Sequence, residues 1–178
     1  MADTKQDPWT TWVALTTTAL AVMAAITTLY LGKFSSRAIL LQGQETDQWA
    51  FFQAKSIKEH SFELEKVHLT LEAAMFRANM PQDASEQYQK ILGQYEEKIK
   101  KYSVEKDEIK KKAEELEKEK LVSQSRGGNF GFALIFLQIA IMLSSISVIT
   151  KKKPLWYVGL SLSIFGLFFF LDGFYLFY

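Results

Sequence analysis

Three stretches of the chain are almost wholly apolar and carry no charged residue, at 12–31, 130–150 and 155–171. Each has about the 17 to 25 residues that an α-helix needs to cross a bilayer. Because lipid offers the backbone no hydrogen-bond partner, such spans are expected to be helical. The pattern predicts three transmembrane helices, at 12–32, 130–150 and 155–178, the last ending in an aromatic tail.

The region 33–129, between the first two spans, has the opposite character. It contains 17 of the chain's 21 basic residues and 17 of its 20 acidic residues, with Pro81 as its only proline. Long helices with charges of both signs at helical spacing fit this composition. The predicted fold is therefore an all-α integral membrane protein with a long antiparallel coiled-coil hairpin outside the membrane.

The turn of this hairpin is predicted near 79–83. Asp83 and Glu86 have the spacing of a capping box at the start of the second hairpin helix. The first helix is expected to run over 34–78, and the second over 84–122. The segment 126–129, which contains two adjacent glycines, is expected to break the path into the second span.

A heptad repeat runs along the second hairpin helix. Its positions are Tyr88, Leu92, Tyr95, Ile99, Tyr102, Lys106, Ile109, Ala113, Leu116 and Lys120. Two of the ten are lysines, which either weaken the seam or set its register.

Two apolar stripes lie on nearly opposite sides of the first hairpin helix. One consists of Ile57, His60, Leu64, Val67, Leu71, Ala74 and Ala78, and the other of Phe62, Leu69, Ala73, Phe76 and Met80. We expect the first stripe to meet the second hairpin helix, which leaves the second stripe as a candidate interface between copies of the chain. Two alternatives are that one helix covers both stripes, or that a different protein covers the second.

Residues suited to catalysis or metal binding are few. The chain has no cysteine, and His60 and His68 are its only histidines. Glu65 and His68 have the Glu-x-x-His spacing of di-iron bundles, but a second such motif is missing. No enzyme activity, metal or cofactor is expected, and a net charge of +1 with balanced runs indicates no nucleic-acid partner. Asp172, next to the third span, is expected at headgroup level, the alternative being an ion site.

The segment 40–58 contains a distinctive run, DQWAFFQAKSIK. It resembles the signature of a bacterial membrane family called domain of unknown function 4337, and the likeness continues through 102–119 and the last two spans. The resemblance implies a bacterial inner-membrane protein and no particular activity. The short N-terminal arm, 1–11, departs from the longer acidic arm expected in that family.

Five residues of this run form a candidate family-motif site: Asp47, Gln48, Trp49, Gln53 and Lys55. One interpretation is packing against the second hairpin helix near Leu121. The other is a ring of Asp47, Gln48 and Trp49 around the mouth of an oligomeric vestibule.

The short loop 151–154 carries Lys151, Lys152 and Lys153, which act as topology determinants because basic residues in short loops favour the cytoplasm. They predict a cytoplasmic N-terminus and a periplasmic hairpin, although Lys33 and Arg37 favour the reverse orientation. The leading functional hypothesis is a non-enzymatic homo-oligomeric scaffold in the lipid bilayer. The alternatives are a small channel or transporter with a coiled-coil vestibule, and a regulatory subunit bound to another membrane protein.

Overall fold

The computed structural model describes residues 8–76 and 81–177. They form three α-helices, α1 (Pro8–Phe76), α2 (Gln82–Thr150) and α3 (Lys153–Tyr175), and no strand occurs within these described ranges. All three helices are long and apolar enough to cross a membrane. The predicted all-α class and the three long apolar helices are therefore confirmed.

The predicted break at 126–129 is wrong, because α2 continues through it to Thr150. A Cβ atom added to Gly127 would lie 3.6 Å from the Ser35 Oγ atom of α1. A side-chain Cβ atom would make only an ordinary van der Waals contact there, so Gly127 lies within α2 beside α1 and does not end the helix. Its helix-propensity cost of about 1 kcal/mol is of a size that tertiary packing commonly offsets.

The ends of the helices match the predictions only in part. Pro154 lies in the first turn of α3, as expected from its missing N–H group. Because α2 begins at Gln82, Asp83 does not occupy the cap position but lies in the first turn of the helix. Its negative charge there still complements the helix dipole. α1 begins at Pro8, so 8–11 is helical and not a separate arm. The predicted turn falls partly on 77–80, and Met80 with it, outside the described residues.

The chain divides into two compact units. One contains Met1–Leu40 and Glu119–Tyr178, and the other contains Leu41–Lys118. We call them the apolar unit and the charged unit after their composition. The apolar unit has a small core in which Leu20, Leu137 and Ala140 are buried.

α3 packs on α2 through glycines seven residues apart. Added Cβ atoms would lie 3.1 Å from the Ala140 carbonyl oxygen at Gly159, and 2.8 Å from the Phe130 ring at Gly173. Gly166 similarly faces Leu137. Small residues of this kind allow close helix contacts where the hydrophobic effect is weak, as in lipid.

Contacts at the two ends of the apolar unit fix the directions of its helices. At one end the Trp156 Nε1–H group donates to the Thr16 hydroxyl at 3.1 Å. At the other, the Phe174 ring lies 4.7 Å from the Tyr30 ring, measured between centroids. α1 and α3 therefore run in the same direction, and the N-terminal part of α1 shares an end with the basic loop.

Candidate functional site

In the charged unit, α1 and α2 pack against each other in opposite directions. The ten heptad positions predicted along α2 are all buried or half-buried within the chain. The Phe62 ring of α1 lies 5.6 Å from the Tyr95 ring and 5.9 Å from the Tyr102 ring. These aromatic contacts place Phe62 at the centre of the α1–α2 seam.

The assignment of the two stripes on α1 is therefore reversed. Phe62, Leu69 and Ala73 are half-buried on the side that faces α2. The other stripe is exposed, with Leu64 58% and Leu71 59% accessible, and Ile57 and Val67 similarly open. As expected, α2 covers only one of the two apolar stripes on α1.

Phe76 and Met80 are the other two residues of the predicted interface. Phe76 is exposed near the end of α1, and Met80 lies outside the described residues. The exposed heptad stripe is defined as Ile57, His60, Leu64, Val67, Leu71 and Ala74. Among the described residues, it takes the place of the Phe62 set as the solvent-exposed face of α1.

Ion pairs cross the seam beside the aromatic residues. Lys106, at a heptad position, donates to the Glu59 carboxylate, which is buried on α1. Its ammonium group also lies 5.7 Å from the Phe52 ring centroid. The Lys55 Nζ atom lies 2.5 Å from the Glu105 Oε2 atom. This hydrogen bond lowers the pKa of the Glu105 carboxyl.

These contacts locate the candidate family-motif site. Lys55 faces α2, where it pairs with Glu105 and lies 5.1 Å from the Tyr102 ring centroid. Gln48 and Trp49 are half-buried, whereas Asp47 and Gln53 are exposed. Part of the motif thus serves packing between helices, and the vestibule interpretation stays a prediction.

Asp172 closes one end of the apolar unit. It is 2% exposed, and its Oδ2 atom accepts a hydrogen bond of 2.7 Å from the Asn129 amide on α2. Its Oδ1 atom accepts from the Phe177 N–H group at 2.6 Å. Asp172 is thus buried between helices and not exposed at the surface, and both oxygens are engaged in fixing the end of α3.

The basic loop lies at the opposite end of the apolar unit. Lys151 adopts a left-handed conformation with φ of 53°, and Lys152 precedes the first turn of α3. The Lys153 Nζ atom lies 5.8 Å from the Trp9 ring centroid. Lys153 thus lies beside the start of α1, and the orientation predicted from the three lysines stays a prediction.

A groove of about 580 Å³ lies between α1 and α2 in the apolar unit. Its lining includes Thr17 and Thr18, whose hydroxyl groups donate to backbone carbonyls one turn earlier, and Ser144. The Ser144 Oγ atom is buried and has no hydrogen-bond partner among the described residues. The Thr17 and Thr18 hydroxyls thus have hydrogen-bond partners within their own helix, whereas the Ser144 hydroxyl has none among the described residues.

Both histidines lie on α1 in the charged unit, beside glutamates of the same helix. The His60 Nδ1 atom is 3.3 Å from a Glu63 carboxylate oxygen, and His68 is 4.0 Å from Glu72. No cluster of three or more potential metal ligands occurs among the described residues. Each contact joins neighbouring turns of one exposed helix.

The chain is thus an all-α protein with three long apolar helices and a charged helix pair. It belongs to the family described as Domain of unknown function (DUF4337), whose model matches residues 9–176. This finding confirms the family that the motif at 40–58 indicated. No curated protein and no solved structure matches the chain. Membership therefore supplies a family and no activity.

Proposed function

We propose that this protein is a non-enzymatic scaffold of the bacterial inner membrane. Three transmembrane helices anchor it, and the charged unit forms an antiparallel coiled coil that joins copies of the chain. The observation that carries the proposal is the exposed heptad stripe on α1, because it is a regular apolar seam on an otherwise charged helix pair.

Membrane anchoring is supported by the outer surface of the apolar unit. Large apolar side chains are exposed on all three of its helices, including Leu15, Val22, Leu29, Phe132, Ile135, Met142, Ile164, Phe168 and Leu171. In water such a surface would drive aggregation, whereas in a bilayer it contacts lipid. These helices are accordingly assigned as the anchor.

Orientation follows from Lys151, Lys152 and Lys153, which favour a cytoplasmic loop and a periplasmic coiled coil. The chain has no cysteine, so single cysteines can be introduced at Ser85 and at Lys152. An impermeant thiol reagent applied to cells with a permeabilised outer membrane should label the first and spare the second. Labelling at 152 and not at 85 would reverse the assigned orientation.

A second copy of the chain is the occupant that best fits the exposed heptad stripe. Its residues alternate by three and four positions, the spacing that lets two identical helices interlock. Copies anchored in one membrane with one orientation meet in parallel. In a parallel pair the position of Glu63 lies opposite the position of His68 on the other copy, so the flanking groups are complementary when the histidine is protonated.

The test measures the mass of the detergent-solubilised full-length protein by light scattering. The double variant Leu64→Ser and Leu71→Ser should shift the oligomer to monomer, because both side chains are more than half exposed in the single chain. The matched control is Val104→Ser on α2, an exposed apolar residue outside the stripe, which should leave the mass unchanged. A monomeric wild-type protein would refute the assembly.

The groove beside Ser144 favours a small channel as the second candidate function, because an unpartnered buried hydroxyl lies in its lining. In that case Thr17→Leu, which adds bulk to the groove, should change ion flux through reconstituted bilayers. The scaffold predicts no flux from either protein. Flux that is present and lowered by Thr17→Leu would favour the channel.

A further inference from the structure

We propose that Lys33 and Arg126 bind the phosphate group of an anionic phospholipid. The inference rests on the proposed membrane anchoring and adds a ligand class to it. The two residues, together with the Phe34 ring that both cations approach, are called the boundary cluster.

The sequence places both cations at the edge of the uncharged stretches. Lys33 is the first charged residue after 12–31 on α1, and Arg126 is the last one before 130–150 on α2. Where apolar spans end, side chains reach the lipid phosphates, and long basic side chains extend toward that level. The packing of Gly127 against Ser35 shows that these two helix segments are in contact.

The structure brings both charges to one aromatic ring. The Lys33 Nζ atom lies 5.9 Å from the Phe34 ring centroid, and the Arg126 Cζ atom lies 5.5 Å from it. The Phe130 ring stacks on Phe34 with a centroid distance of 5.6 Å and an interplanar angle of 6°. Both cations therefore lie within 6 Å of the centre of a ring that stacks on Phe130 of α2.

Neighbouring acidic groups do not neutralise this pair. Arg37, one turn farther along α1, forms an ion pair of 3.2 Å with Glu119. Neither Lys33 nor Arg126 forms an ion pair with any carboxylate in the ranges 8–76 and 81–177, and both Asp172 oxygens accept hydrogen bonds from other groups. Among the residues that the structure describes, neither Lys33 nor Arg126 therefore has an ion-pair partner.

An anionic lipid supplies the missing charge. A phosphate oxygen pair suits the planar guanidinium of Arg126, and the flexible Lys33 side chain can contact the same group as a point charge. A basic residue near an anionic membrane surface contributes about fivefold to affinity. Removal of both cations should therefore weaken binding by about 25-fold.

The test titrates the full-length protein in neutral detergent with phosphatidylglycerol and, separately, with phosphatidylcholine, and counts bound lipid by native mass spectrometry. The wild type should prefer phosphatidylglycerol, and Lys33→Gln with Arg126→Gln should abolish the preference. The matched control, Lys111→Gln with Lys112→Gln, removes two lysines of the charged unit that form no ion pair within the described residues.

Equal binding of the two lipids by the wild type, or an equal loss in the control variant, would overturn the site. Displacement of the lipid by excess inorganic phosphate would show a free-phosphate site and would overturn the lipid assignment. The double variant Lys33→Arg with Arg126→Lys conserves both charges and should retain the preference for phosphatidylglycerol. Loss of that preference in this variant would also count against the site. Alkaline carbonate extraction tests the anchoring separately, since release of the protein would refute the anchor while the titration still decides the phosphate site.

Discussion

The ion pair between Glu59 and Lys106 provides a sharp test of how the charged unit is held in register. Lys106 occupies a heptad position of α2, and Glu59 is the buried carboxylate that meets it from α1. The variant Glu59→Gln keeps the shape of the side chain and removes its charge. The ammonium group of Lys106 is then left in the seam without a counter-charge.

The magnitude follows from burial. The Glu59 and Lys106 side chains are 11% and 22% exposed, respectively. Breaking a fully buried pair costs about 3 to 5 kcal/mol, and exposed pairs contribute about 0 to 1 kcal/mol. Because Lys106 retains some access to water, we expect a loss of about 2 kcal/mol in local stability, between the two limits. This corresponds to about a 30-fold rise in the equilibrium constant for local opening of the α1–α2 pair.

Hydrogen–deuterium exchange of the full-length protein in detergent measures this opening in peptides around Glu59 and Lys106. The matched control is Glu96→Gln, because the Lys66–Glu96 pair crosses the same helix pair with side chains 38% and 61% exposed. It should change exchange by about fivefold or less. Replacing both Glu59 and Lys106 by Leu should restore protection. Equal effects of Glu59→Gln and Glu96→Gln would refute the reasoning.

Two further predictions concern the glycine contacts and pH. Gly173→Ala should lower the free energy of unfolding by about 1 to 3 kcal/mol, because its Cβ atom would lie 2.8 Å from the Phe130 ring, whereas Gly128→Ala, with nothing within 4 Å, should raise it by about 0.5 to 1 kcal/mol. Thermal unfolding followed by circular dichroism compares them, and shifts of the same sign would contradict the packing. The lowered pKa of Glu105 means that its pair with Lys55 stabilises the fold above the ordinary value of 4.5, and that this contribution is lost as pH falls below 4.5 through the lowered folded-state pKa. Lys55→Gln should remove that part of the acid sensitivity, and an unchanged acid profile would count against the pair.

The sequence could predict the features that depend on local pattern. The uncharged stretches indicated three helices, and the heptad of α2 indicated which of its positions are covered. Pro154 in the first turn of α3 follows from its missing N–H group. These predictions need only the geometry of one helix.

The face of α1 that meets α2 depends on two helices at once, and the apolar pattern alone could not decide it. Both stripes have helical spacing. A signal was nevertheless present, because Lys106 in the α2 seam requires an acidic partner. Glu59, one turn from Phe62, lies on the Phe62 side, and the opposite stripe contains no acid. Matching the polar residues of the two seams would have selected the correct face.

The adjacent glycines and Asn129 were misjudged for a related reason. Glycine often marks the end of a helix, but packing against a neighbouring helix can offset its low helix propensity. Here the neighbour of Gly127 is Ser35, far away in sequence. Asn129 is likewise the partner of Asp172, which is separated from it by 43 positions.

The two-residue connection between α2 and α3 bears on the order in which the chain folds. Thr150 ends one helix and Lys153 begins the next, so the contacts of Gly159 with Ala140 join residues close in sequence. The contacts between α1 and α2 join residues farther apart in sequence, from Lys66 with Glu96 to Arg37 with Glu119. Because loop closure becomes more costly with length and local contacts form faster, we expect α2 and α3 to pair first. α1 would then dock onto a surface that already exists.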